Sequence, residues 1–243
     1  MKISEKIMLN KDGLDLHGPI NIVAFGDSVT HGAFATGDID FEAVYWNILK
    51  KKIAAVRTYM PINVINAGIG GTTAKLSVAR IDSQVLCHRP DLVIVCFGLN
   101  DVNGEKSEYL EALEQIFARL KSYDTEVIFM TPNMLNTYVA PDTAEIYMDY
   151  AAITAEMQNS GKMSDYIFGA IEVAKKAGVT ICDCYSKWLE LSKTQDTTML
   201  LANRINHPTK KMHELFADCL FELIFPNVKT HLANDQTMYN ENK

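Results

Sequence analysis

No run of about 18 apolar residues occurs in this 243-residue chain, so nothing in it reads as a membrane-spanning helix. Basic residues are outnumbered: 23 Lys and Arg against 30 Asp and Glu leave a formal charge of −7. That balance argues against a nucleic-acid partner, which calls for a basic face. Cysteine is sparse and odd in number, with Cys87, Cys96, Cys182, Cys184 and Cys219 lying mostly in apolar segments. Cys182-Asp183-Cys184 is too closely spaced for a zinc knuckle, and no second Cys or His pair accompanies it. Buried reduced thiols are expected, with no metal and no cofactor. The opening Met1-Lys2-Ile3-Ser4-Glu5-Lys6 interleaves charge and lacks an apolar signal core, which points to a cytoplasmic location. Repeats, low-complexity tracts and linkers are also missing, so residues 1–243 are expected to form one domain.

What is present is an alternation. Short apolar runs at 20–25, 62–65, 92–97, 127–130 and 179–182 have the near-continuous character of strands buried on both faces. Between them lie stripes at helical spacing. Phe41, Val44, Tyr45, Ile48, Leu49 and Ile53 form one, and Leu110, Leu113, Ile116, Phe117 and Leu120 another; Met212, Leu215, Phe216, Cys219, Leu220 and Leu223 form a third. The pattern predicts an α/β fold with a parallel five-stranded sheet covered on both faces. Residues 132–176 hold more than one helix between the fourth and fifth strands. This segment, with Met134, Tyr138, Tyr147, Met148, Tyr150 and Met157, reads either as a wall or lid over a site or as a packed helix pair. The tail from about residue 230 is polar, suited to fraying or to an oligomer contact.

The chemistry gathers at the carboxyl ends of these strands. The first run leads into Gly26-Asp27-Ser28, which sets a serine hydroxyl at the sheet edge where open α/β folds bind ligands. The second leads into Asn66-Ala67-Gly68-Ile69-Gly70-Gly71-Thr72-Thr73, whose glycines can present backbone N–H groups. It lacks a P-loop lysine and the dinucleotide-binding spacing. The third leads into Gly98-Leu99-Asn100-Asp101, where a carboxamide can donate to an oxyanion. The fourth, Asn203-Arg204-Ile205-Asn206-His207-Pro208-Thr209, places a histidine at the entrance of the last helix. Each segment alone is ordinary turn chemistry. Together they supply nucleophile, anion hole and base.

In this order the four blocks resemble the SGNH hydrolases, also called GDSL esterases/lipases, over residues 20 to about 225. The resemblance implies a flavodoxin-like, three-layer α/β/α sandwich and ester hydrolysis through an acyl-serine. It implies Ser28 as nucleophile and His207 as general base, with the Ser28 N–H, the Gly71 N–H and the Asn100 side chain as oxyanion donors. Asp27 and Asp101 are read as pinning their turns rather than as acids.

One position departs from the pattern. Three residues before the histidine the family usually carries an aspartate, and this chain has Arg204. Three expectations follow: a Ser–His dyad whose ring donates to a backbone carbonyl, Asn203 or Asn206; a carboxylate reaching in from elsewhere, such as Asp183; or a fold that has kept only a binding pocket. The first is favoured, with Arg204 as a substrate contact or structural anchor. The Asn206-His207-Pro208 block resembles carbohydrate acetylesterases, which implies an O-acetylated sugar as substrate. Lysophospholipase or thioesterase activity, with an acyl groove walled by the 134–157 region, is the alternative enzyme. A non-catalytic glycan- or ligand-binding protein is the alternative from another class.

Overall fold

The computed structural model describes residues 1–226. Five parallel strands form one sheet in the order β2-β1-β3-β4-β5. They are β1 (Ile20–Gly26), β2 (Ile62–Gly68), β3 (Leu92–Cys96), β4 (Glu126–Met130) and β5 (Thr180–Cys182). Each coincides with one of the apolar runs. The central β1 and β3 are buried almost throughout, whereas most residues of the edge strand β2 are only partly buried. Strand β2 also runs past its apolar residues to Gly68, because its Asn66 side chain is absorbed locally. It accepts the Gly68 N–H at 2.9 Å and donates to the His31 carbonyl at 3.0 Å.

Six helices of eight residues or more are present among the described residues: α1 (Tyr45–Val56), α2 (Lys106–Lys121), α3 (Met148–Asn159), α4 (Lys162–Lys176), α5 (Cys184–Leu191) and α6 (Lys210–Ile224). Helix α1 packs on α6, and α2 on α4. The chain leaves β1 in one direction to reach β2 and then returns to β3 on the other side of β1. Right-handed crossovers therefore put α1 and α2 on opposite faces, giving the three-layer sandwich. They also make the crevice outside the carboxyl ends of β1 and β3 the topological switch point, where such sheets bind ligands.

Helix α1 starts later than its apolar stripe. The Asp40 carboxylate accepts the N–H groups of Glu42 at 2.8 Å and Ala43 at 3.2 Å, a local turn that competes with helix. Phe41 is left half exposed, its ring stacked 6.1 Å from that of His31.

Residues 132–176 divide into two parts. Helix α4 is the sheet-covering crossover between β4 and β5, and its Met163, Ile167, Ala170 and Ala174 are buried. The chain before it, with α3, is additional and leaves Tyr138, Tyr147 and Met148 largely open. All five cysteines are free thiols; Cys87 is exposed and the others are buried. Among the described residues no helix is long and apolar enough to cross a membrane. The polar tail from about residue 230 lies outside the described residues.

Candidate active site

Strand β1 ends on Gly26, a position where nothing larger fits. A Cβ at that position would lie 2.2 Å from Thr30 Oγ1 and 2.6 Å from the Cys96 carbonyl. The same holds at Gly68, where a Cβ would lie 2.3 Å from the His31 nitrogen. Between these two glycines sits the four-residue helix Ser28–His31, capped by Asp27, whose Oδ1 accepts the Val29 N–H at 3.0 Å. Ser28 opens that helix, so its N–H has no intrahelical acceptor and is free for a ligand. A buried cation holds the floor. The Arg80 guanidinium donates to the Gly26 carbonyl at 3.1 Å and the Ala67 carbonyl at 2.6 Å, and lies 4.6 Å over the Phe25 ring. Burial lowers its pKa to about 10. Its sequence position carries no sign of this role.

The histidine loop is closed on itself. An antiparallel bridge joins Leu201 to Pro208, and the Asn203 Oδ1 accepts the N–H groups of Ile205, Asn206 and His207 at 3.0, 3.0 and 2.9 Å. Asn203 Nδ2 donates to Asn206 Oδ1 at 2.9 Å, and Asn133 donates to the Asn206 carbonyl at 2.9 Å. Out of this loop His207 places its Nε2 at 2.9 Å from Ser28 Oγ. Its Nδ1 lies 2.9 Å from the Phe34 carbonyl oxygen. A carbonyl can only accept, so in the neutral ring Nδ1 carries the proton and Nε2 turns its lone pair to the serine. This is the tautomer a general base requires. Burial pulls the His207 pKa below 6.5, and the hydrogen bond to Phe34 partly offsets it.

Among the residues read as orienters of His207, a backbone carbonyl is what the ring finds. Asn203 and Asn206 brace the loop and do not take Nδ1. Asp183 is elsewhere: it caps α5, accepting from Ser186 N–H at 3.1 Å and Ser186 Oγ at 2.6 Å, and from Thr131 Oγ1 at 3.1 Å. Arg204 is engaged away from the His207 ring as well. At φ +61° it turns outward, and its guanidinium grips Asp142 with Nε at 3.0 Å and Nη2 at 2.9 Å, while Nη1 donates to the carbonyls of Met199 and Leu201. The structural-anchor reading describes it. The carbonyl of Phe34 was beyond sequence reasoning, since a backbone acceptor leaves no mark on residue identity.

Gly71 occupies the left-handed region at φ +75°, in the turn after β2. The neighbouring Gly70 comes closer to the serine, since a Cβ there would lie 3.8 Å from Ser28 Cβ. Asn100 Nδ2 donates to the Thr72 carbonyl at 2.9 Å, which fixes the amide and leaves its second N–H. Beneath, Asp101 Oδ1 accepts the Ala74 N–H at 2.8 Å, tying the ends of β3 and β2. The second oxygens of Asp27 and Asp101 are buried without a hydrogen-bond partner. Burial raises these carboxyls to about 7 and about 6 respectively.

Beside the Ser28–His207 pair lies a cavity of about 330 Å3, bounded by His207, Asn206, the turn Ala33–Ile39, Tyr147 and Tyr150. No group of three or more His, Cys, Asp or Glu side chains suited to a metal occurs among the described residues.

Residues 24–215 match the family model described as the GDSL-like Lipase/Acylhydrolase family. The chain belongs to that family. It is a carboxylic ester hydrolase of the SGNH superfamily. It is 26% identical over 216 residues to the uncharacterized lipoprotein YqeF of Bacillus subtilis (strain 168), covering 82% of this chain and 87% of that one. It is 30% identical over 128 residues to an acetylxylan esterase of Geobacillus stearothermophilus, spanning 46% of this chain and 58% of that one. The crystal structure of Axe2, an acetylxylan esterase from Geobacillus stearothermophilus, superposes with a TM-score of 0.66 at 23% identity. It covers 84% of this chain and 94% of that one. At that identity the superposition speaks for the fold. The expectation of a cytoplasmic location gains no support, one relative being named a lipoprotein.

Proposed function

We propose that this esterase removes O-acetyl groups from a carbohydrate through an acyl-Ser28 intermediate, using a Ser28–His207 dyad completed by the Phe34 carbonyl. The observation that carries the reading is the 2.9 Å contact between Ser28 Oγ and His207 Nε2, in the tautomer that can accept the serine proton. A serine hydroxyl is a weak nucleophile until a base takes its proton. As Oγ attacks the ester carbonyl, His207 becomes imidazolium and negative charge moves onto the former carbonyl oxygen. The N–H groups of Ser28 and Gly71 and the Asn100 amide receive that charge. The imidazolium then returns its proton to the departing alcohol, and a water activated by the same nitrogen releases the acid.

The relatives support the choice of substrate class: one curated relative and one similar structure are named acetylxylan esterases. Hydrolysis of p-nitrophenyl esters from acetate to decanoate, by wild type and Ser28→Ala, tests the reading. Activity greatest on acetate and lost in the variant is expected. Equal rates in the two proteins would defeat the acyl-serine mechanism, and a preference for long acyl chains would defeat the acetyl assignment.

A further inference from the structure

The cavity beside His207 lies on a definite side of the ester. His207 must return its proton to the leaving oxygen, so the alcohol half of the substrate sits on the imidazole side. The carbonyl oxygen points the other way, toward Gly71 and Asn100. The cavity of about 330 Å3 is lined by His207 but by none of Ser28, Gly71 or Asn100. We infer that this cavity is the leaving-alcohol subsite and that it takes one pyranose ring, with Tyr147 and Tyr150 as its aromatic wall and Asp38 as its hydroxyl acceptor. The inference rests on the acyl-serine reading above and assigns the residues that select its alcohol.

Size, surface and polarity agree. The volume is at the small end for ligand sites, room for one sugar ring rather than a polymer segment or a long chain. Tyr147 and Tyr150 offer aromatic faces of the kind that pack on the C–H face of a pyranose. The turn at 33–39 contributes Thr36 and Asp38 to the same lining, and their side chains make no hydrogen bond to other described residues. The side-chain oxygens of Asn203 and Asn206 are already committed to the loop, which leaves Asp38 as the charged acceptor for sugar hydroxyls, with Thr36 beside it. The aromatic wall is also joined to the oxyanion side. Asn103 Nδ2 donates to the Tyr150 hydroxyl at 3.3 Å and to the Asn100 carbonyl at 3.1 Å. A ring seated against Tyr150 is thereby positioned relative to the group that receives the negative charge.

The test compares two acetates that differ only in the alcohol: a methyl pyranoside carrying one acetyl group, and ethyl acetate, whose two-carbon alcohol has no ring to seat. The quantity read is the ratio of their kcat/KM values. Tyr147→Ala and Asp38→Asn are each expected to lower that ratio by about tenfold or more, chiefly through KM for the sugar ester. Tyr147→Phe, which keeps the ring, is expected to hold the ratio near that of wild type. A wild-type ratio in both Tyr147→Ala and Asp38→Asn, with hydrolysis still abolished by Ser28→Ala, would overturn the subsite and leave the acyl-serine reading standing. Hydrolysis that survives Ser28→Ala would overturn both.

Discussion

Replacing Arg204 with aspartate restores the residue type that the SGNH pattern places three positions before the histidine, and the structure says it will not restore a triad. The ring nitrogen that an acid would hold is occupied by the Phe34 carbonyl at 2.9 Å. Position 204 sits at φ +61° with its side chain aimed outward at Asp142. An aspartate there faces another carboxylate and removes the guanidinium that donates to the Met199 and Leu201 carbonyls. The size of the alternative can be bounded. A hydrogen bond to a charged acceptor contributes about 1.5–3 kcal/mol against roughly 0.5–1.5 for a neutral one. A carboxylate that did reach Nδ1 would therefore stabilise the imidazolium by about 1–1.5 kcal/mol more, a rise of about one unit in the His207 pKa and up to about tenfold in rate. The assay is kcat/KM for p-nitrophenyl acetate across the acid and neutral range. In wild type the neutral ring is the base, so activity falls as pH drops through the His207 pKa, which burial holds below 6.5. Arg204→Asp is expected to keep that acid limb, with no gain in rate and a lower melting temperature. An acid limb moved up by about a unit, together with a severalfold faster rate, would refute the reasoning.

Asn100→Ala removes one of the proposed oxyanion donors and should lower kcat by about 10²–10³-fold with little change in KM, as measured by steady-state kinetics on an acetyl ester. Gly68→Ala and Gly70→Ala should part company in thermal unfolding. The first forces a Cβ to 2.3 Å from the His31 backbone and is expected to destabilise strongly, whereas the second meets nothing closer than 3.8 Å and is expected to fold normally. Asp27→Asn should change how stability varies with pH. Burial raises the Asp27 carboxyl from 3.8 to about 7, so its contribution is fully present below 3.8 and is lost as pH rises through about 7. Relative to wild type, the variant should gain stability across that window, roughly 4 kcal/mol in all, by urea unfolding at its two ends. A constant difference at both ends would show that Asp27 titrates normally.

The strands and the blocks that follow them were legible because a parallel sheet buried on both faces writes itself as uninterrupted apolar runs. Ser28, Gly71, Asn100 and His207 all stand near strand ends or a helix entrance, where such sheets carry their chemistry. What was not legible depends on contacts distant in sequence. Arg204 looked like a cation displacing an acid. It is an anchor because Asp142, from the added segment before α3, lies opposite. Arg80 reaches back to carbonyls at the ends of β1 and β2, and nothing in its local pattern distinguishes it from a surface arginine. Tyr147 and Tyr150 could be read as core or wall with equal justice, since helical spacing does not say whether a partner covers the helix.

The Phe34 carbonyl shows why a dyad can hold its geometry here. A carboxylate side chain must itself be held in place by neighbours before it can orient an imidazole. A backbone carbonyl is oriented by whatever fixes its residue, and Phe34 is fixed by the core. Its ring is buried, 4.7 Å from that of His213, and its N–H donates to the Asp38 carbonyl at 2.9 Å. His213 in turn accepts the Tyr45 N–H on Nδ1 at 3.1 Å, and burial lowers its pKa to about 3, so it stays a neutral packing partner wherever His207 is active. The orientation of the base is thus set by the interface between α1 and α6 rather than by an ion pair. In the proposed dyad the charge compensation an acid would add is absent, which puts correspondingly more of the stabilisation on the proposed oxyanion donors.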